Sequence, residues 1–303
     1  MRQSLEKAIR DSKGKSGGYR VKNGRKYDNY FTNEDWRVFL SSMSDRHKSH
    51  YLDGDGGELL EKKGRYGIYP PKMASFGSSS HMIYDLSKNF ENFIFEKKLP
   101  TRVGGTANLD GYLVTHSNRV FYEAKKCEIY EGSHVNEKIS TVYKDVYESI
   151  KDDTECQSWF NYLSEPIKSD KDEDKDKMKV TFKIKDKEKE EDIKYFDLKQ
   201  LICHYLAISA DILEGNNSVN NIKFIYLIFD PEKIEKFIST KKDQILNRYR
   251  NWYNEAQKID QASLFKAIVK YQAERLGYSI PAYSFEFCII DQDSYIDKVK
   301  KFL

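Results

Sequence analysis

The sequence predicts a mixed α/β fold whose central sheet is threaded in the order helix, strand, strand, strand, helix, strand (α-β-β-β-α-β), with helical additions at both ends. Three features predict it. An apolar stripe at helical spacing runs through "SSSHMIYDLSKNF"; two short apolar segments joined by a polar tetrapeptide follow in "NLDGYLVTHSNRVFYEAKK"; and an amphipathic segment later feeds the nearly continuous apolar run "NIKFIYLIFDP". The chain can support such a core, since 303 residues with 39% hydrophobic and 14% aromatic side chains suffice for one large domain or two modest ones.

Residues 1–75 read as a basic arm followed by an accessory helical region. Residues 1–30 carry nine Lys and Arg against three acids, a balance that suits either phosphate tracking or a solvated terminus. The segment 32–47 places Trp36, Phe39 and Leu40 at helical spacing behind Thr32 or Asn33 as a cap, after which Gly and Pro break regularity. "DGDG" at 53–56 lacks the later ligands and closing Glu of a calcium loop.

Residues 76–303 hold the main domain, with a core over 76–231. A helix over 79–91 is capped by Ser78 to Ser80 and buries Met82, Ile83, Leu86 and Phe90. Strands follow at 92–99, 107–114 and 119–126, the first two separated by a "GG" break and the last two by a turn at "THSN". A helix over 197–212 turns Leu198, Leu201, Ile202, Tyr205 and Leu206 inward and leads to a strand at 222–229, whose unbroken apolar character predicts burial on both faces as a central parallel strand. Between them, 134–150 reads as helix. The insertion at about 165–194 reads as a solvated hairpin or flexible excursion, because 168–194 holds ten Lys and ten acids around the strand-like "VTFKI". The extension 232–303 supplies two helices, the strand "SFEFCIID" and a closing helix. Its segment 241–253 mixes cations and aromatics and suits a nucleic-acid groove, or a core face through Ile245, Leu246, Tyr249 and Trp252.

Composition excludes several classes. The formal net charge is only +3, so no global cationic field exists and any basic surface must be local. Cys127, Cys156, Cys203 and Cys288 form no CxxC pair, which argues against zinc ribbons and disulfide frameworks and for a reducing cytoplasm. No membrane-length apolar run occurs, and "MRQSLEKAIRDSKGKSGG" has none of the apolar core of a secretion signal. No histidine-metal spacing accompanies His81 or His116, and Ser78 to Ser80 read as a cap rather than a nucleophile.

The chemistry concentrates in the hairpin at 108–126. Glu123 and Lys125, two apart on an apolar strand, project from one face, and Asp110 lies near the start of the neighbouring strand. Other acid-x-Lys triplets, such as Glu61/Lys63 and Glu96/Lys98, lack that context. Two carboxylates at about 4 to 5 Å make a hard oxygen site for Mg²⁺, completed by water and a backbone carbonyl such as that of Ala124. Lys125 would then orient or deprotonate the attacking water and offset transition-state charge. The alternative is a plain cross-strand ion pair at a sheet edge.

Asp110 with "EAK" at 123–125, set in that element order, resembles the PD-(D/E)xK nuclease superfamily over roughly residues 76–231, with Leu109 in place of the proline. "SSSHMIYDL", "FEKKLP", "EAKKCEIYE" and "FDLKQLICHYL" are similar to bacterial type II restriction endonucleases. The resemblance implies a restriction-endonuclease-like core with Asp110 and Glu123 as metal ligands and Lys125 as catalytic lysine. It suggests Glu96 as an accessory metal or water contact, or else a surface acid, and Gln200 as a support for the lysine or a phosphate, or else an ordinary polar helix residue. His204, one turn on, reads as a satisfied buried histidine. The implied function is Mg²⁺-dependent hydrolysis of phosphodiester bonds in double-stranded DNA, with one or two ions and Mn²⁺ as a substitute. A homodimer and a cognate methyltransferase are the implied partners. A repair or mobile-element nuclease on the same fold and a non-cleaving nucleic-acid-binding protein are the rival readings.

Overall fold

The computed structural model describes residues 1–53, 57–130, 138–140, 143, 146, 167–168, 177–179, 183–186, 189–215 and 218–300. Helices α1 (Arg2–Ser12), α2 (Asn33–Ser42), α3 (Asp45–Leu52) and α4 (Ser79–Ser87) precede the sheet. Strands β1 (Ile94–Pro100), β2 (Thr106–Val114) and β3 (Arg119–Lys125) come next, followed by α5 (Leu198–Leu213), β4 (Asn221–Ile228), α6 (Lys242–Lys258), α7 (Gln261–Leu276), β5 (Ser284–Asp291) and α8 (Tyr295–Val299). The five strands form one mixed sheet in the order β5-β4-β3-β2-β1. β1, β2 and β3 pair antiparallel as hairpins, whereas β4 runs parallel to both β3 and β5. The apolar run at β4 is thus the central strand its composition predicts, with Phe224 to Phe229 all buried.

The two faces of the sheet have separate covers. Gly111 and Tyr122 face α4: a Cβ on Gly111 would overlap the Phe93 ring and lie 3.0 Å from Ile83, so the close approach of backbone and ring requires glycine. On the opposite face α5 crosses β1 and β2, and α7 packs behind α5 and against β5. The β2–β3 turn closes at the predicted tetrapeptide, where the Thr115 N–H donates to the Asn118 carbonyl at 2.9 Å.

Several elements depart from the sequence expectations. The helix predicted over 79–91 keeps its Ser78 cap but ends at Ser87; the chain then takes two tight turns, Phe90 N–H to Ser87 O and Phe93 N–H to Phe90 O, that carry Phe93 beneath Gly111. The single helix predicted over 32–47 is two. Met43 is extended and buried, and Ser44 caps a fresh helix through the His47 N–H. The helix predicted over 134–150 falls mostly outside the described residues, and within it Lys138–Ser140 is a strand. In the insertion, Lys183–Asp186 pairs antiparallel with Lys189–Asp192 as a hairpin, while 180–182 lies outside the described residues, as does 54–56 of the "DGDG" loop.

The first residues are packed rather than loose. Leu5, Ala8 and Ile9 of α1 are buried, and α1 lies against the Pro231–Phe237 turn. Buried Glu6 accepts from Arg2 Nε at 2.8 Å and Ser75 Oγ at 3.0 Å. In α6, Ile245, Leu246 and Trp252 enter the core. Cys127, Cys203 and Cys288 are unpaired, and no helix among the described residues is long and apolar enough to cross a membrane.

Candidate active site

The register of the hairpins sets three acids in a transverse row. Gly111 pairs with Tyr122, so the next positions, Asp110 and Glu123, stand opposite each other; Phe95 and Lys97 pair with Gly111 and Leu109, so Glu96 stands opposite Asp110. The ladder is interrupted at this row. Glu96 has φ +53°, a left-handed backbone uncommon for glutamate, and Asp110 turns its carboxylate to the backbone, with Oδ2 accepting the Ala124 N–H at 2.6 Å. Ala124, read from the sequence as a carbonyl ligand, therefore meets Asp110 through its N–H.

Glu123, only 2% exposed, is held by three donors. Lys125 Nζ lies 2.7 Å from Oε1, Gln200 Nε2 donates to the same oxygen at 2.7 Å, and His204 Nε2 lies 3.0 Å from Oε2. Since a carboxylate accepts only, His204 donates from Nε2, which leaves its buried Nδ1 without a partner. Gln200 also accepts Lys125 Nζ at 2.7 Å through Oε1. One amide thus fixes both the acid and the lysine of the strand. Gln200 is itself placed by the cap of α5, where the Asp197 carboxylate accepts the Gln200 N–H at 3.0 Å. Gln200 and His204 are four residues apart and reach Glu123 from one side of the helix.

The electrostatics of the row are uneven. Burial, then the charges of Glu123 and Glu96, hold the Asp110 carboxyl well above the ordinary carboxylate range against the pull of Lys125 and the Ala124 N–H. Burial also pushes the Glu123 carboxyl up, but Lys125 and His204 outweigh it and bring it to about 2. Lys125 is pushed down by burial and raised further by Glu123 and Asp110, so its ammonium is held more tightly than an ordinary lysine's.

The donor chemistry fits Mg²⁺. Two lone pairs on Glu123 Oε1 are taken by Lys125 and Gln200 and one on Oε2 by His204, which leaves one on Oε2, and Asp110 stands opposite Glu123 on the neighbouring strand. Among the described residues no three His, Cys, Asp or Glu side chains make a ready metal cage; Mg²⁺ commonly takes one or two carboxylates and fills its remaining positions with water and phosphate oxygens. A cavity of about 440 Å³ opens beside the row, lined by Asn108, Tyr143, Lys199, Gln200, Cys203 and His204. A larger hollow of about 830 Å³ lies along α6, where the Glu255 carboxylate is taken up by the backbone N–H groups of Lys194, Tyr195 and Phe196.

The structure brings Asp110, Glu123, Ala124, Lys125 and Gln200 together and sets Glu96 at the end of the same row. The link from His204 to Glu123 is the contact sequence reasoning missed: His204, expected to be a satisfied buried histidine, is buried but bonds through one ring nitrogen only, whereas His81 is held on both sides, by the Met73 carbonyl at 2.9 Å and Asp85 at 3.0 Å. Comparison of the chain with protein-family models, curated proteins and solved structures finds no match in any of the three.

Proposed function

We propose that this protein is a Mg²⁺-dependent DNA endonuclease with a restriction-endonuclease-like α-β-β-β-α-β core, hydrolysing phosphodiester bonds with the Asp110, Glu123 and Lys125 set of the PD-(D/E)xK kind. One observation carries the reading. A structural ion pair needs two charges, whereas here the Gln200 amide clamps Glu123 and Lys125 at 2.7 Å each, beside a half-buried aspartate whose charge nothing in the fold requires.

Asp110 and Glu123 would hold the ion, and the Ala124 carbonyl and Glu96 would supply further oxygens. When bound, Mg²⁺ supplies Lewis-acid polarisation of the phosphoryl group and charge for the leaving oxygen. Lys125 orients or deprotonates the attacking water and offsets phosphoryl charge. Gln200 positions Lys125, and His204 positions Glu123. Cutting both strands fits a homodimer, and a restriction role implies a cytoplasmic protein with a methyltransferase acting on the same site.

The test is incubation of purified protein with plasmid and with methylated and unmethylated genomic DNA, with and without Mg²⁺ or Mn²⁺. Discrete metal-dependent fragments are the expected result. A smear would favour a repair or mobile-element nuclease, and a gel shift without cutting would favour the binding-only reading and overturn the enzyme.

A further inference from the structure

Two short ribbons in the N-terminal region, Tyr19–Arg20 with Lys26–Tyr27 and Lys62–Gly64 with Gly67–Tyr69, have no role in the row of acids. They are fastened to each other. Tyr27 Oη donates to the Ile68 carbonyl at 3.0 Å, the Tyr27 and Tyr69 rings lie 6.4 Å apart, and the Lys22 N–H donates to Glu61 Oε2 at 3.4 Å.

The cations of this platform face outward. Arg20, Lys22, Arg25 and Lys26 of the first ribbon are exposed, and so are Lys62, Lys63 and Arg65 of the second. Only two acids lie in these segments, and both are engaged internally: Asp28 sits 2.6 Å from Lys26 Nζ, and Glu61 bonds the Tyr19 hydroxyl and the Lys22 N–H.

At the tip of the second ribbon, between paired Gly64 and Gly67, stand Arg65 and Tyr66. Tyr66 is 73% exposed, the most exposed large apolar side chain among the described residues, and the Arg65 guanidinium stacks 5.5 Å from its ring. Gly67 has φ +127°, which only glycine adopts without strain, so the turn is built to present these two side chains. No packing accounts for a tyrosine held in water at the end of a cationic ribbon.

The ribbon follows α3, which packs against β1 with its Tyr51 ring 5.4 Å from that of Phe95, the neighbour of Glu96. At its base the Lys72 and Met73 N–H groups donate to the Gly57 and Glu58 carbonyls, and Glu58 pairs with Lys72 at 2.9 Å.

The geometry points to this platform as a duplex-DNA clamp, with Arg65 and Tyr66 entering a groove and the flanking Lys and Arg on phosphates. A two-stranded ribbon is one of the few elements the major groove admits, and guanidinium with an aromatic ring suits base edges and faces. This rests on the endonuclease reading and adds to it the surface that seats the substrate.

The test measures affinity for a short DNA duplex by fluorescence anisotropy in Ca²⁺ across a salt series. The variants are Arg65→Ala/Tyr66→Ala, Lys62→Ala/Lys63→Ala, Arg65→Lys/Tyr66→Phe, and Lys266→Ala/Arg275→Ala on exposed positions of α7 as control. The tip pair should lose about tenfold in affinity. The lysine pair should lower the salt slope by about 0.9 for each phosphate contact removed. The conservative pair should recover most of the tip's loss, and the control should bind as wild type. Melting temperatures should match throughout, because every side chain changed is exposed. Wild-type affinity and slope in both ribbon variants, with wild type binding and cutting DNA, would overturn the clamp alone. Failure of wild type to bind DNA at all would overturn the endonuclease reading with it.

Discussion

Replacing Lys125 with alanine would leave Glu123 with the Gln200 amide and the His204 imidazole at 2.7 and 3.0 Å, so the acid keeps partners and the fold should survive. What disappears is the ammonium. Lys125→Ala should therefore reduce single-turnover cleavage by on the order of 10² to 10⁴ while DNA affinity in Ca²⁺ changes little. Lys98→Ala, which loses only a contact to the Asp53 carbonyl, is the control; wild-type cleavage by the Lys125 variant would refute the assignment. Asp110 predicts the opposite sign for stability. A carboxyl whose folded pKa lies above its unfolded value favours folding while protonated and loses that contribution as pH rises through the folded pKa, so Asp110 detracts from stability near neutral pH relative to acid. Asp110→Asn keeps an oxygen for the Ala124 N–H and removes the charge. Its melting temperature should exceed wild type by about 2–4 °C at neutral pH, converge with it in acid, and accompany loss of cleavage. A lower melting temperature at neutral pH would show that the aspartate is structural.

At the level of elements, β5 offers a second pH dependence with the reverse sign. Its last residue, Asp291, accepts Lys233 Nζ at 2.6 Å and Ser294 Oγ at 2.7 Å, joining the sheet edge to α8. Burial pushes its carboxyl up, but Lys233 and Ser294 prevail and bring it to about 2. That stabilisation is present above the ordinary carboxylate value of 3.8 and is lost as pH falls toward about 2. Asp291→Asn should thus cost about 1 kcal/mol at neutral pH, after allowance for partial exposure, and nothing near pH 2 in denaturant titrations. A pH-independent difference would assign the effect to packing. The β2–β3 hairpin and β4 were legible in the sequence because their signals are local: turn residues at a fixed spacing, and an unbroken apolar run. The split at Ser44 was not, since Trp36, Phe39 and Leu40 continue a helical pattern and only the cap hydroxyl breaks it. Nor was the contact of His204 with Glu123. It depends on how α5 is rotated over strands about eighty residues away, although a polar pair four apart on an apolar helix face is a trace of it. The left-handed Glu96 left no trace, because no residue preference marks strain imposed by neighbouring strands.

Across the whole molecule, a net charge of +3 conceals a division of labour. Acids are gathered in the row across β1, β2 and β3, and cations crowd the two ribbons that precede it in the chain, so the field that matters is local. The seat of α1 against Pro231–Phe237 has a consequence for synthesis. This helix leaves the ribosome long before the turn that covers Leu5 and Ile9 exists, and β4, which supplies the neighbour of β3, is also translated late. A nascent chain already contains Asp110, Glu123 and Lys125 without the parallel strand and the docked helix that hold them in register. Contacts so distant in sequence close slowly. A protein assembled in this way completes its row of acids only after nearly all of it has been made.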